Sequence, residues 1–194
     1  MELLKQRILQ DGKALDEHVL LVDSFLNHRV DVKLMEEVGK EFAKLFKDRG
    51  ITKVATIESS GIAPASFAAL HLNVPMIIMK KSVSSILKDN ILQTDVFSFT
   101  KNSVYKLTLK SHFIEPNDRV LLIDDFMANG EAAFGGIRLL EQAGASVAGI
   151  GIVIAKAFQP GLEKLRAAGY DVKALAVISH MAAGVIEFSE EAEG

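Results

Sequence analysis

Asp124 and Asp125 close an apolar run that begins at Val120, and the small residues Ala128, Asn129 and Gly130 follow before a helix-forming segment opens at Glu131. Adjacent carboxylates at a strand end are acceptors, which suits the hydroxyls of a sugar. A helix N-terminus offers unpaired N–H groups and a positive dipole end, which suits a phosphate. A sugar phosphate meets both demands at once. Small residues let the backbone approach such a ligand, and Gly130 permits dihedrals closed to other residues. The plain alternative for a lone acid pair is a surface turn after a core strand.

Other chemistry-bearing residues sit at comparable places. Glu58-Ser59-Ser60-Gly61 follow the apolar run Ile51 to Ile57, Lys80-Lys81 follow Val74 to Met79, and Lys156 follows Val147 to Ile154. Between these runs stand segments of helical period, and helices are expected over 31–48, 63–72, 131–142 and 160–168. Asp31 is the expected N-cap of the first of these. A helix over 2–10, a β-prone stretch from His18 to Phe25 and final strands at 172–178 and 185–188 complete the order. Strands alternating with helices, several apolar on both faces, predict a doubly wound, mostly parallel α/β sheet. Ligands of such sheets bind at the carboxyl ends of the strands, where all four groups stand. The polar segment Lys80 to Gln93 has no clear period and reads as a long loop. A hairpin is expected across Lys101-Asn102-Ser103, joining strands at 96–100 and 104–110.

Bulk properties narrow the class. The 194 residues are enough for one well-cored domain, with 49% hydrophobic and 24% charged residues. A net charge of -3 gives no general attraction for nucleic acid or anionic lipid. The lack of cysteine excludes disulfides, thiolate nucleophiles and zinc–thiolate sites. Met1 to Gln10 carries Glu2, Lys5 and Arg7, unlike a signal peptide, and no apolar run is long enough for a bilayer. No membrane association and a cytoplasmic location are the default expectations. The five histidines lack metal-ligand spacing.

DDFMANGEA, with ESSGIAP before it and the strand-plus-KAFQPG segment after it, resembles the type I phosphoribosyltransferase family, and within it the bacterial branch that acts on xanthine. The resemblance covers nearly the whole chain, including VDSFLNHRVD near its start. It implies one domain over 1–194, with a base-covering hood from about 1–35 and C-terminal strands, and a catalytic lid over about 81–95. It implies transfer of the phosphoribosyl group of 5-phospho-α-D-ribose 1-diphosphate (PRPP) to xanthine, with Mg2+ held mainly by the substrate. Asp124 and Asp125 take the catalytic place beside the ribose. Ala128, Asn129, Gly130, Glu131 and Ala132 surround the 5-phosphate. Glu58, Ser59, Ser60, Gly61 and Lys81, with Lys80 as its alternative, face the pyrophosphate. Leu20, Asn27, Lys156 and Phe158 face the base, and a homodimer is expected.

Many members of the wider family have an acid, Thr-Gly and a further Thr in the phosphate loop. Here Ala128, Asn129-Gly130 and Ala132 stand instead, so no side chain at 128 exchanges a proton with the base. Two rivals stay open. One is the same chemistry on hypoxanthine or guanine. The other is a PRPP-binding regulator without turnover, for which the acidic charge and the short N-terminal segment leave no DNA-binding part.

Overall fold

Leu4 and Ile8 lie one turn apart on the first helix, Glu2–Asp11 (α1), and both are fully buried. The computed structural model describes residues 1–81, 90–99 and 102–189. After α1 comes a short antiparallel pair, Lys13–Ala14 (β1) with Leu20–Leu21 (β2). The strand expected from His18 to Phe25 ends there. Asp23–Asn27 coils into one π-helical turn, which lets Phe25 and Leu26 both enter the core beside Val22. The Asp31 carboxylate then accepts from the Leu34 N–H at 3.1 Å and starts Val32–Phe46 (α2), the cap read from the sequence.

Next come Lys53–Ile57 (β3), Ile62–Leu72 (α3), Met76–Met79 (β4), Ile91–Ser98 (β5) and Ser103–Lys110 (β6). The chain continues through Arg119–Met127 (β7), Glu131–Gln142 (α4), Ser146–Lys156 (β8), Gly161–Ala167 (α5), Val172–Ala182 (β9) and Val185–Phe188 (β10). Six strands form the main sheet in the order β10-β9-β8-β7-β3-β4, all parallel except β10, which folds back on β9. This is the doubly wound sheet expected. Helices α1, α2 and α3 cover one face over a core that includes Phe42, Phe46, Leu121 and Ile123. The other face carries α4, α5 and the β5–β6 hairpin over Ile57, Leu122, Leu140 and Ile152.

Two expected boundaries move. Strand β7 does not stop at Ile123 but runs to Met127, because β8 pairs with it through Met127↔Ala155. Asp124 and Asp125 therefore stand inside a strand. The irregular segment also ends sooner than Gln93. Ile91 already pairs with Lys110, and Gln93 and Asp95 alternate as the exposed positions of β5. Residues 91–95 of the expected lid are thus strand, and its residues 82–89 lie outside the described ones.

The N-terminal segment is tied to the C-terminal hairpin. Gly184, in the turn between β9 and β10, donates its N–H to the Ala14 carbonyl at 3.0 Å. The β1–β2 pair and the C-terminal hairpin thus sit together above the end of β8.

At the opposite sheet edge, Asp118 accepts from Lys53 Nζ at 2.6 Å, Thr52 Oγ1 at 2.7 Å and the Glu115 N–H at 2.7 Å. Burial alone would raise its pKa, but these three donors outweigh burial and hold the carboxyl below its usual range. Asp118→Ala leaves the half-buried Lys53 charge unpaired, and should cost about 1–3 kcal/mol of unfolding free energy in a urea titration. A folded-state pKa below the unfolded one means stability that is present above the usual carboxylate range. That stability is lost as pH falls through the depressed value. The difference between wild type and variant should accordingly shrink on acidification.

Candidate active site

Strand β7 delivers Asp124 and Asp125 to the ligand edge of the sheet. Asp124 is buried, and its Oδ1 accepts from the Asp125 N–H at 3.0 Å. Burial first, and the neighbouring Asp125 charge second, push the Asp124 carboxyl well above its usual pKa. Asp124 is the buried member of the pair, yet it also lines a pocket of about 200 Å3 with Lys81, Tyr105 and the whole of 128–132.

The loop after β7 is shaped for an anion. Gly130 adopts φ +88 and precedes α4, whose first N–H groups receive no side-chain cap. Uncapped N–H groups at a helix start need an acceptor from outside the helix. Glu131 does not fill that place: its Oε1 lies 3.9 Å from Lys164 Nζ. The loop is backed by the start of α5, where the Gly161 N–H donates to the Ala128 carbonyl at 2.9 Å. A Cβ on Gly161 would lie 2.4 Å from that carbonyl oxygen and 2.7 Å from Met127 Sδ.

A second loop, Glu58 to Gly61, follows β3, and its Glu58–Ser59 peptide is cis. Glu58 ties it to the end of β4: Oε1 accepts from the Lys81 N–H at 2.6 Å, and Oε2 pairs with Lys80 Nζ at 3.1 Å. Lys80 is thus engaged with Glu58. Lys81 Nζ instead lies 5.8 Å from the Tyr105 ring centroid and lowers the Asp124 carboxyl against the trend of burial. Gly61 lies against both β3 and β7, since a Cβ there would sit 2.4 Å from Thr56 Oγ1 and 3.4 Å from Asp124 Oδ1. The two loops, Lys81 and the acid pair therefore form one group.

The base-side residues are less uniformly assembled. Lys156 ends β8 nearly buried, donates from Nζ to the His18 carbonyl and lies 5.9 Å from the Phe126 ring centroid. Burial pushes its ammonium below the usual pKa, and the Asp16 carboxylate opposes that shift. Leu20 is buried in the core. Asn27 and Phe158 are exposed, and no hydrogen bond, ion pair or ring contact joins either to Lys156 among the described residues.

Sequence reasoning missed Tyr105, Gly161 and the Asp16–His18 turn. Tyr105 reads as one more alternating strand residue, and nothing local to the other two marks their long-range partners. A larger, mostly apolar cavity of about 710 Å3 runs along the edge strand β4 between Pro75, Ile77 and Phe113. Glu58 and Lys80 also line it, but neither Asp124 nor the 128–132 loop does, so the smaller pocket joins the buried acid to the phosphate loop.

Among the described residues no cluster of three or more His, Asp or Glu side chains is built to hold a metal. Two adjacent carboxylates, one of them disfavoured in its charged form, do fit a divalent cation that arrives mainly coordinated by a polyphosphate.

The phosphoribosyl transferase domain model matches residues 32–179, which span both loops, the acid pair and Lys156. Xanthine phosphoribosyltransferase 1 of Clostridium botulinum is 57% identical over 97% of this chain and 99% of its own length. The xanthine phosphoribosyltransferase of Clostridium acetobutylicum is 55% identical over 97% of this chain and all 100% of its own. The fold is shared with the Giardia lamblia APRTase complexed with 9-deazaadenine, at a TM-score of 0.77 and 21% identity, over 91% of this chain and 98% of that one. On the domain match and these identities, the chain belongs to the phosphoribosyl transferase family, with the type I fold.

Proposed function

We propose that the protein transfers the 5-phosphoribosyl group of PRPP to xanthine, forming xanthosine 5′-monophosphate and releasing diphosphate, a step of purine salvage. The observation that carries the sugar-phosphate half is the pocket that joins the uncapped 128–132 loop to Asp124 and Lys81. The relatives named for xanthine, alike over nearly their full lengths, support the base.

In this reading the loop N–H groups and the α4 dipole hold the 5-phosphate dianion. Asp124 and Asp125 accept from the ribose hydroxyls, which adds donors to the one the buried Asp124 already has. The 58–61 loop and Lys81 face the diphosphate. Magnesium arriving with PRPP would be held beside Asp124 and Asp125 and would supply charge neutralisation for the leaving group. An imidazole-ring nitrogen of the base attacks the anomeric carbon as the carbon–oxygen bond to diphosphate breaks. Lys156 donates to the purine oxo group and stabilises the partly anionic form of xanthine, and the ring proton passes to water because Ala128 offers no base. The chain's contribution is positioning and fixed charge, with no covalent intermediate.

The hood over the base, a lid over residues 82–89, a cytoplasmic location and a homodimer belong with this proposal. Sedimentation of the purified chain tests the dimer. The reaction is tested by incubating protein, PRPP, magnesium and xanthine, which should yield xanthosine 5′-monophosphate and diphosphate in equal amounts. A chelator in excess over magnesium should abolish both.

A further inference from the structure

The turn between β1 and β2 is built around one carboxylate. Asp16 Oδ1 accepts from the His18 N–H and the Val19 N–H, each at 2.7 Å, and the Leu15 N–H closes the turn on the Val19 carbonyl at 2.9 Å. With its amide engaged by Asp16, His18 points its carbonyl at Lys156, 138 residues further along the chain, and accepts from Nζ. These backbone bonds hold the Asp16 carboxyl below its usual pKa, so it stays an acceptor.

The consequence follows from donor and acceptor capacity. An ammonium has three donors and a carbonyl oxygen two lone pairs, and the mutual bond uses one of each. What remains is a donor directly beside an acceptor. Every 6-oxopurine presents the complement along one edge: an oxo acceptor beside a ring N–H donor. Adenine presents the reverse, an amino donor beside a ring-nitrogen acceptor, and would meet donor with donor and acceptor with acceptor. An edge that rejects the wrong ligand in this way separates bases further than attraction alone does.

We propose that Asp16 is a positioning residue for the purine: its turn aims the His18 carbonyl at Lys156, and the two together form a donor–acceptor edge that reads the oxo and adjacent N–H groups of an oxopurine. This rests on the oxopurine phosphoribosyltransferase reading above and adds to it a backbone specificity element from the hood. Asp16 is itself exposed, so its replacement leaves the core intact.

The test compares wild type, Asp16→Ala and Asp16→Asn in steady-state kinetics on xanthine, guanine, hypoxanthine and adenine. Asn keeps an oxygen able to accept both turn N–H groups; Ala keeps none. Asp16→Ala should lose about tenfold in kcat/KM for the oxopurines, the scale of one well-placed hydrogen bond, with KM for PRPP within about twofold of wild type. Asp16→Asn should recover most of that loss. Three results overturn the inference: Asp16→Ala equal to wild type on oxopurines, Asn no better than Ala, or an equal rise in KM for PRPP. Wild type turning over guanine or hypoxanthine but not xanthine would defeat the xanthine assignment and leave the inference to be judged on those bases. Wild type acting on adenine alone would defeat both.

Discussion

Lys156→Met should lower kcat/KM for xanthine by about 100-fold, the cost of one lost charge-assisted hydrogen bond, and leave KM for PRPP nearly unchanged. The ammonium sits at the end of β8, with the Phe126 ring on one side and the His18 carbonyl on another. Methionine keeps a four-atom apolar stem but has no ammonium over the Phe126 ring. What disappears is the donor to the purine oxo group and the positive charge beside a partly anionic base. The PRPP groups, Asp124, Lys81 and the 128–132 loop, line a pocket that does not include Lys156, which is why the two substrates should respond differently. Equal turnover of xanthine by the variant would remove Lys156 from base recognition. A matching rise in KM for PRPP would make its role structural.

Gly161→Ala should raise KM for PRPP on the order of 100-fold, because a displacement near one ångström at a positioning group has that effect. The added Cβ would lie 2.4 Å from the Ala128 carbonyl oxygen, 2.7 Å from Met127 Sδ and 2.9 Å from the Gly130 nitrogen. Two of these three neighbours are backbone atoms of the loop itself, so relief requires the loop to move. The glycine is needed for close approach, not for an unusual dihedral. Affinity for xanthosine 5′-monophosphate should fall with that for PRPP, since both carry the 5-phosphate. Product affinity can be measured by calorimetry without turnover. Unchanged affinity for both would show that the loop tolerates the shift.

How much of this was legible in the sequence depends on the range of the interaction. The Asp31 cap, the apolar face of α2 and the order of strand ends are local patterns, and they appear where the sequence put them. Boundaries failed where neighbours overrode propensity. Aspartate is a poor strand former, yet Asp124 pairs with Ile152 because β8 continues alongside. Gln93 and Asp95 looked like loop residues until β6 supplied a partner and solvent took their side chains. The π-helical turn at 23–27 replaced an expected strand because the core needed Phe25 and Leu26 on one side.

In the candidate site, the acids and the small-residue loop could be found from type and spacing, and Lys81 was one of two candidates. The Glu58 ion pair, which engages Lys80 and favours Lys81, is something no local pattern reveals. The Asp16 turn, Gly161 and Tyr105 act on partners far away in sequence, and only the folded chain brings them there.

The measurement that bears most directly on the central claim is diphosphate release from PRPP and magnesium with xanthine, hypoxanthine, guanine, adenine and orotate offered separately. The account predicts release with xanthine well above every other base. Comparable or greater release with guanine or hypoxanthine would contradict the xanthine assignment while keeping the phosphate loop and acid pair. Release with none of the bases, while PRPP still binds, would contradict the claim that this chain is an enzyme.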